Sequence, residues 1–96
     1  MSPKNKKKLD GIRIKLDKLD NKLLALIKYR TYLVKEVLKL KEFKKEIVDQ
    51  KRINFILNKI KGKSKKLKID PRITNRIWKN MIWSYIDYER RNFKKK

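Results

Sequence analysis

The sequence predicts an all-α protein of three helices, of which the first is very long, and three observations lead to this fold class. Apolar residues recur every three or four positions along most of the chain, which is the helical period. There are only 2 glycines and 2 prolines, too few for the turns of a sheet. No strand-length run alternates cleanly between apolar and polar residues. With 96 residues, we expect one domain spanning 1–96, with flexible basic tails at 1–8 and 94–96.

The first helix is predicted to run from about Lys6 to about Phe43, a length of roughly 55 Å. Its apolar seam, in alternating steps of three and four, consists of Leu9, Ile12, Leu16, Leu19, Leu23, Leu26, Leu33, Val37 and Leu40. A helix that overhangs its own domain needs a partner, so an intertwined helical homodimer is expected. Arg30 interrupts the seam. A guanidinium facing such a seam costs several kcal/mol unless a buried acid or an anionic ligand neutralises it.

Capping residues mark the two remaining helices. Asp49 can cap the start of the second helix, and Gly62 is predicted to end it, before a loop at 63–66. Asp70 followed by Pro71 places an N-cap and a proline in the first helical position of the third helix. The expected apolar faces are Ile53, Ile56, Leu57 and Ile60 in the second helix, and Ile73, Ile77, Trp78, Met81, Ile82, Tyr85, Ile86 and Phe93 in the third.

Composition excludes several kinds of chemistry. The chain has no cysteine and no histidine, so a disulfide, a thiolate metal site and a histidine-activated nucleophile are ruled out. Neither a metal nor another cofactor is expected. No apolar run approaches the roughly 20 residues that span a bilayer, and the basic start is followed by an amphipathic helix rather than a signal peptide. A cytoplasmic protein without a membrane partner is therefore expected.

The net charge is +21, from 31 basic and 10 acidic residues, and lysine supplies most of it along the whole chain. One interpretation is a lysine-biased composition that covers every solvent-facing surface. Another is a field that attracts nucleic acid or a small dianionic substrate. Charge alone does not choose between these.

Charged residues occupy helix positions where the pattern calls for apolar ones. Lys41 follows Arg30 by eleven residues, three helical turns, so both project from nearly the same face. Asp49 and Arg52 lie one turn apart. Taken singly, Arg30 could serve only to fix the register of a dimer. Lys41 and Arg52 could extend to water, and Asp49 could be only a helix cap.

A stripe on the third helix passes through Ile82 and Tyr85 and ends in the carboxylate of Glu89. Tyr85 could be a core residue, and Glu89 could pair with a cation on a solvated face. Arg13 lies seventeen residues before Arg30, about a quarter-turn off its face, so it points elsewhere within its own protomer. In an antiparallel or offset dimer it could instead reach the partner's pocket. Together these residues supply several cations, a side chain that can form a hydrogen bond, and an apolar lining. This combination describes a pocket for a small multiply charged anion.

The pattern resembles the all-helical chorismate mutase family over about Leu9 to Arg91. The most specific stretch is 16–30, LDKLDNKLLALIKYR, which is similar to the family's opening helix with its first active-site arginine. Lys41 falls at the position of the family's catalytic lysine. Further similar segments are 48–52 at the start of the second helix, and 69–71 and 77–82 in the third.

The resemblance implies a chorismate mutase, which rearranges chorismate to prephenate for the biosynthesis of aromatic amino acids. By this resemblance Arg30, together with Arg13 of the partner subunit, holds the two carboxylates of the substrate, with Lys41 helping at one. Lys41 and Glu89 donate hydrogen bonds to the ether oxygen. The rearrangement needs no nucleophile, base or metal, because confinement and electrostatics catalyse it.

The resemblance also places Asp49 and Arg52 near the ring hydroxyl of the substrate, but three neighbours depart from the family pattern. Ile53 stands where a glutamate is usual, and Tyr85 where a small hydroxyl residue is common. Glu89 replaces the typical glutamine and must be protonated in order to donate. Ile53 and Tyr85 are similar to the related isochorismate–pyruvate lyases, which convert isochorismate to salicylate and pyruvate. This activity is the alternative.

Two classes of protein that are not enzymes explain fewer features of the sequence than the enzyme does. A basic helical dimer that binds nucleic acid accounts for the charge but gives Arg30 no reason to lie in the seam. A structural coiled coil accounts for the seam but not for the capped helices that follow it. Nucleic acid is therefore not the expected partner.

Overall fold

The computed structural model describes residues 1–95, and this part of the chain contains three α-helices, one 3-10 turn and no strand. The helices are α1 (Pro3–Leu40), α2 (Gln50–Lys66) and α3 (Pro71–Asn92), and the 3-10 turn is Lys44–Glu46. The predicted all-α class with a very long first helix is confirmed. Within residues 1–95, no helix combines the length and the apolar character that crossing a bilayer requires.

The chain forms two compact units, Met1–Leu33 and the part from Val34 onwards. The first unit consists mainly of α1, none of whose residues is buried. The second contains the last turns of α1, the connection to α2, and the pair α2 and α3. The single domain expected over 1–96 stays a prediction.

Helix α1 begins at Pro3, three residues before the predicted start near Lys6. Ser2 explains this start, because its Oγ accepts a hydrogen bond of 3.2 Å from the backbone N–H of Asn5, as an N-cap does. Proline then occupies the first helical position, where its missing N–H is not needed. The helix ends at Leu40, so Phe43 lies beyond it in extended backbone. Most of the predicted N-terminal tail is therefore helical, while its flexibility stays a prediction.

The predicted apolar seam of α1 lies at the surface of the single chain. Eight of its members are each at least 44% exposed: Ile12, Leu16, Leu19, Leu23, Leu26, Leu33, Val37 and Leu40. An apolar surface of this extent marks an interaction site in a soluble protein. The seam is the surface that the expected homodimer requires, and the pairing itself stays a prediction.

Both predicted N-caps are confirmed. The Asp49 side chain accepts a hydrogen bond of 2.9 Å from the backbone N–H of Arg52 at the start of α2. The Asp70 side chain accepts one of 2.9 Å from the backbone N–H of Arg72, with Pro71 in the first turn of α3. These carboxylates also lie at the positive ends of the helix dipoles.

The predicted end of α2 at Gly62, with a loop after it, is wrong. The helix continues to Lys66, and Gly62 lacks the positive φ of a glycine cap; Lys68 instead has φ 58°. Ser64 shows the reason, because its buried Oγ shares a hydrogen bond of 2.7 Å with Thr74 Oγ1 on α3. This bond fixes the last turn of α2 against α3, and α2 therefore extends beyond Ser64.

The hydrophobic core lies in the second unit, where α2 packs against α3. Its buried members are Ile47, Ile53, Ile82 and Ile86, and the partly buried side chains around them are Val48, Ile56, Leu57 and Phe93. Ile73 and Ile77 of the expected apolar face are more than half exposed. The core is thus concentrated near the C-terminal half of α3, which also carries Glu89.

Candidate active site

An ion pair joins Lys41, the first residue after α1, to Glu89 near the end of α3. Lys41 Nζ donates to Glu89 Oε2 at 2.9 Å, although 48 positions separate the two residues in the sequence. The exposed fractions of the side chains are 19% for Lys41 and 8% for Glu89. The pair is therefore largely withdrawn from water.

Glu89 is buried because of its place on the apolar face of α3. Ile82 and Ile86 lie seven and three residues before it, at helical spacing, and both belong to the core. A carboxylate in such a place is stable only when it is paired and hydrogen-bonded. Lys41 supplies that pairing, and every buried side-chain N or O atom within residues 1–95 has a hydrogen-bond partner.

Backbone hydrogen bonds hold the chain on both sides of Lys41. The Lys41 N–H donates to Leu38 O at 3.2 Å, which closes the last turn of α1. The N–H groups of Glu42 and Phe43 both donate to Glu46 Oε2, at 2.8 Å and 3.1 Å. The hydrogen bonds from the N–H groups of Phe43, the larger cause, and of Glu42 hold the pKa of Glu46 below the ordinary value of a glutamic acid.

Asp49 and Arg52 border a shallow surface pocket that Lys51 and Phe55 also line. The Arg52 guanidinium lies over the Phe55 ring, 5.2 Å from its centroid. Asp49 caps α2, which is the structural role that the sequence predicted for it. The roles of both residues in substrate binding stay predictions.

Ile53 and Tyr85, the two residues that suggested the lyase, differ in burial. Ile53 is 7% exposed and belongs to the core with Ile47 and Ile82. Tyr85 is half-buried on α3, one turn before Glu89. Ile53 is thus a core residue, and any contact of either side chain with substrate stays a prediction.

Arg13 and Arg30 both lie on α1 in the first unit, Arg13 exposed and Arg30 half-buried. Seventeen residues separate them, which corresponds to about 25 Å along a helix axis. A small dicarboxylate cannot contact both side chains of one helix across this distance. If both arginines bind one substrate molecule, they must come from two copies of the chain.

Glu46 was not among the residues predicted for the site. The sequence carried a weak signal: Glu46 is an acid three residues after Phe43, near which the first helix was predicted to end. Such a spacing lets a carboxylate reach back to free backbone N–H groups. The lysine-rich surroundings concealed this signal, because an isolated glutamate among lysines is typical of a solvated surface.

The described residues thus form an all-helical protein with one ion pair largely withdrawn from water. The model of the family of type II chorismate mutases matches residues 12–90, and the chain belongs to this family. It is thus an isomerase, a chorismate mutase. Neither the curated proteins nor the solved structures yielded a match.

The matched range includes parts of all three helices and every residue predicted for the site. These residues are Arg13, Arg30, Lys41, Asp49, Arg52, Ile53, Tyr85 and Glu89. The family resemblance seen in the sequence is therefore confirmed.

Proposed function

We propose that this protein rearranges chorismate to prephenate in a cationic pocket centred on Lys41, as a step in aromatic amino acid biosynthesis. The observation that carries the proposal is the sheltered pair of Lys41 and Glu89 within the segment that matches the family. In the reaction one carbon–oxygen bond of the ether bridge breaks while a carbon–carbon bond forms in the same molecule. Negative charge develops on the ether oxygen, and a fixed cation stabilises it.

Lys41 is the residue that meets the ether oxygen. An ammonium has three N–H donors, and the bond to Glu89 uses one of them. Because the pair is largely withdrawn from water, a hydrogen bond from Lys41 to the developing charge is stronger than it would be at an open surface. Its pairing also fixes its direction before substrate arrives, which is the preorganisation that electrostatic catalysis requires.

Glu89 has two possible contributions, which a single variant separates. As a carboxylate, it accepts from Lys41 and orients the ammonium. As a protonated acid, it donates to the ether oxygen itself. Glutamine at this position keeps a donor and an acceptor, so Glu89→Gln retains activity if donation is the essential role.

Two copies of the chain complete the pocket in this proposal. The exposed seam of α1 pairs with the seam of a second copy, which buries Leu23 and Leu26. Arg30 of one copy and Arg13 of the other then bind the two carboxylates, as family resemblance implies. The 17-residue spacing on one helix supports a contribution from two copies. Asp49 and Arg52 are assigned to the ring hydroxyl.

The elimination of pyruvate from isochorismate is the alternative reaction. It was suggested by Ile53 and Tyr85, but the packing of Ile53 in the core accounts for an apolar residue there without any substrate. The family whose model matches residues 12–90 is that of the type II chorismate mutases, so the mutase reaction is preferred.

Incubation of the purified protein with chorismate and, separately, with isochorismate tests the proposal. Prephenate from chorismate is the expected product. Salicylate and pyruvate from isochorismate, without prephenate from chorismate, would establish the lyase instead. If neither substrate reacts and the protein binds DNA with a steep salt dependence, the nucleic-acid class replaces both enzymes.

A further inference from the structure

The turn between α1 and α2 holds the catalytic lysine by its backbone. Lys41 follows the last residue of α1, so the helix does not fix its conformation. The peptide before Lys41 is held by the hydrogen bond from its own N–H to Leu38 O. The peptide after it is held by the hydrogen bond from the Glu42 N–H to Glu46 Oε2. Because both flanking peptides are fixed, so is the direction in which the Lys41 side chain leaves the chain.

A single carboxylate oxygen makes the second of these attachments. Glu46 Oε2 accepts from two successive backbone N–H groups, at 2.8 Å from Glu42 and 3.1 Å from Phe43. Hydrogen bonds to an ionised acceptor are about twice as strong as those between neutral groups. The lowered pKa of Glu46 has the same cause, since both N–H groups favour the ionised carboxylate.

The core anchors Glu46 in turn. Its neighbour Ile47 is 4% exposed and packs with Ile86, which lies three residues before Glu89 on α3. The Glu46 N–H donates to Phe43 O at 3.0 Å, which closes the 3-10 turn. Lys41 and Glu89 are thus both positioned from the same group of apolar side chains.

We propose that Glu46 is a positioning residue for catalysis, whose carboxylate fixes the turn after α1 and so aims the Lys41 ammonium at the reacting ether oxygen. The proposal rests on the mutase function proposed above. Glu46 itself is exposed, and in this proposal it acts on the reaction through Lys41. The contacts through which it acts are the hydrogen bonds from the backbone N–H groups of Glu42 and Phe43.

The decisive comparison is between Glu46→Ala and Glu46→Gln in the full chain, with chorismate as substrate. Glu46→Ala removes both acceptor contacts and is expected to lower kcat about tenfold or more, since a misplacement of about 1 Å can lower a rate ~100-fold. Glu46→Gln keeps one oxygen that can accept both N–H groups, so its kcat is expected to stay within about threefold of the unchanged protein. Glu36→Ala is the matched control, because it removes the same charge from a half-buried site on α1, where Glu36 pairs with Lys39 at 3.3 Å.

Two further measurements separate positioning from a general loss of structure. Hydrogen exchange of the Glu42 and Phe43 amides is expected to accelerate in Glu46→Ala and to stay slow in Glu46→Gln. In a Lys41→Met background, Glu46→Ala is expected to cause no further fall in the residual kcat, since no ammonium remains to be aimed.

An equal fall of kcat in both backgrounds would overturn the proposal, as would unchanged kcat in Glu46→Ala despite faster exchange of the two amides. Conversion of chorismate by the unchanged protein is measured first. If that activity is absent, the proposed function fails; if it is present and Glu46→Ala retains it, only the positioning role fails.

Discussion

The side chains of Ser64 and Thr74 share a buried hydrogen bond of 2.7 Å that joins the last turn of α2 to the first turn of α3. Ser64 Oγ also donates to Ile60 O at 2.6 Å, one turn earlier in its own helix. This polar contact stands apart from the apolar core and fixes the end of the α2–α3 pair away from Glu89.

Ser64→Ala is expected to lower the free energy of unfolding by about 0.5–1.5 kcal/mol, because the Thr74 hydroxyl loses its bond to Ser64 but still reaches Pro71 O at 3.3 Å. Denaturant unfolding measures the change. The double variant Ser64→Ala with Thr74→Val is expected to lose less than the sum of the single variants, since both partners are then removed. Strict additivity would show that the two hydroxyls do not act as a pair.

The ion pair of Lys41 and Glu89 predicts opposite outcomes for stability and for catalysis. Lys41→Met leaves the buried Glu89 carboxylate uncompensated and is expected to lower stability by up to about 3–5 kcal/mol, less where the part-exposed lysine admits water. Adding Glu89→Gln restores much of that stability. Turnover is expected to fall about 100- to 1000-fold in both variants, because both lack the ammonium. If the double variant recovered activity together with stability, Lys41 would have no direct role in the reaction.

Arg30→Ala is expected to abolish turnover while the dimer stays folded, because the proposed role of this guanidinium is to bind a substrate carboxylate. Steady-state kinetics and sedimentation together check both parts. If turnover survives, the assignment of the site is wrong.

Mixed dimers test whether Arg13 acts in the partner's site. In a mixture of Arg13→Ala and Arg30→Ala chains, each mixed dimer contains one site with both arginines intact if the residues come from different copies. Activity is then expected to reappear on mixing two inactive proteins. If both arginines instead belong to the site of their own chain, every site in the mixture lacks one arginine and the mixture stays inactive.

The lowered pKa of Glu46 predicts a contribution to acid stability. Since this pKa lies lower in the folded than in the unfolded chain, the contribution is fully present above the ordinary pKa of glutamic acid and is lost as pH falls through the folded value. The melting temperature is therefore expected to fall less steeply with acidification in Glu46→Gln than in the unchanged protein, below about pH 4.5. Parallel curves for the two proteins would contradict this linkage.

The local part of the fold could be predicted from sequence, whereas its long-range contacts could not. Asp49 and Asp70 were recognised as caps because a cap acts on backbone groups only two or three residues away. Gly62 was misread because a buried contact between Ser64 and Thr74, which are ten positions apart, decides where α2 ends.

The site shows the same division. Helical spacing and family resemblance selected Lys41 and Glu89 and assigned both to the ether oxygen, but their direct pairing at 2.9 Å depends on how α3 packs. Glu46 was not selected because its hydrogen bonds close a turn. A turn lacks the repeating pattern of apolar residues by which positions on a helix were assigned.

Gly62 leaves unoccupied space within α2. A methyl group on its α-carbon would meet no other atom within 4 Å, and its backbone has no conformation that requires glycine. Gly62→Ala is therefore expected to raise stability by about 1 kcal/mol through helix propensity alone. The stability of the chain can thus be raised at a position outside the Lys41–Glu89 pair, and a more stable variant of this kind would let damaging replacements in that pair be purified and assayed.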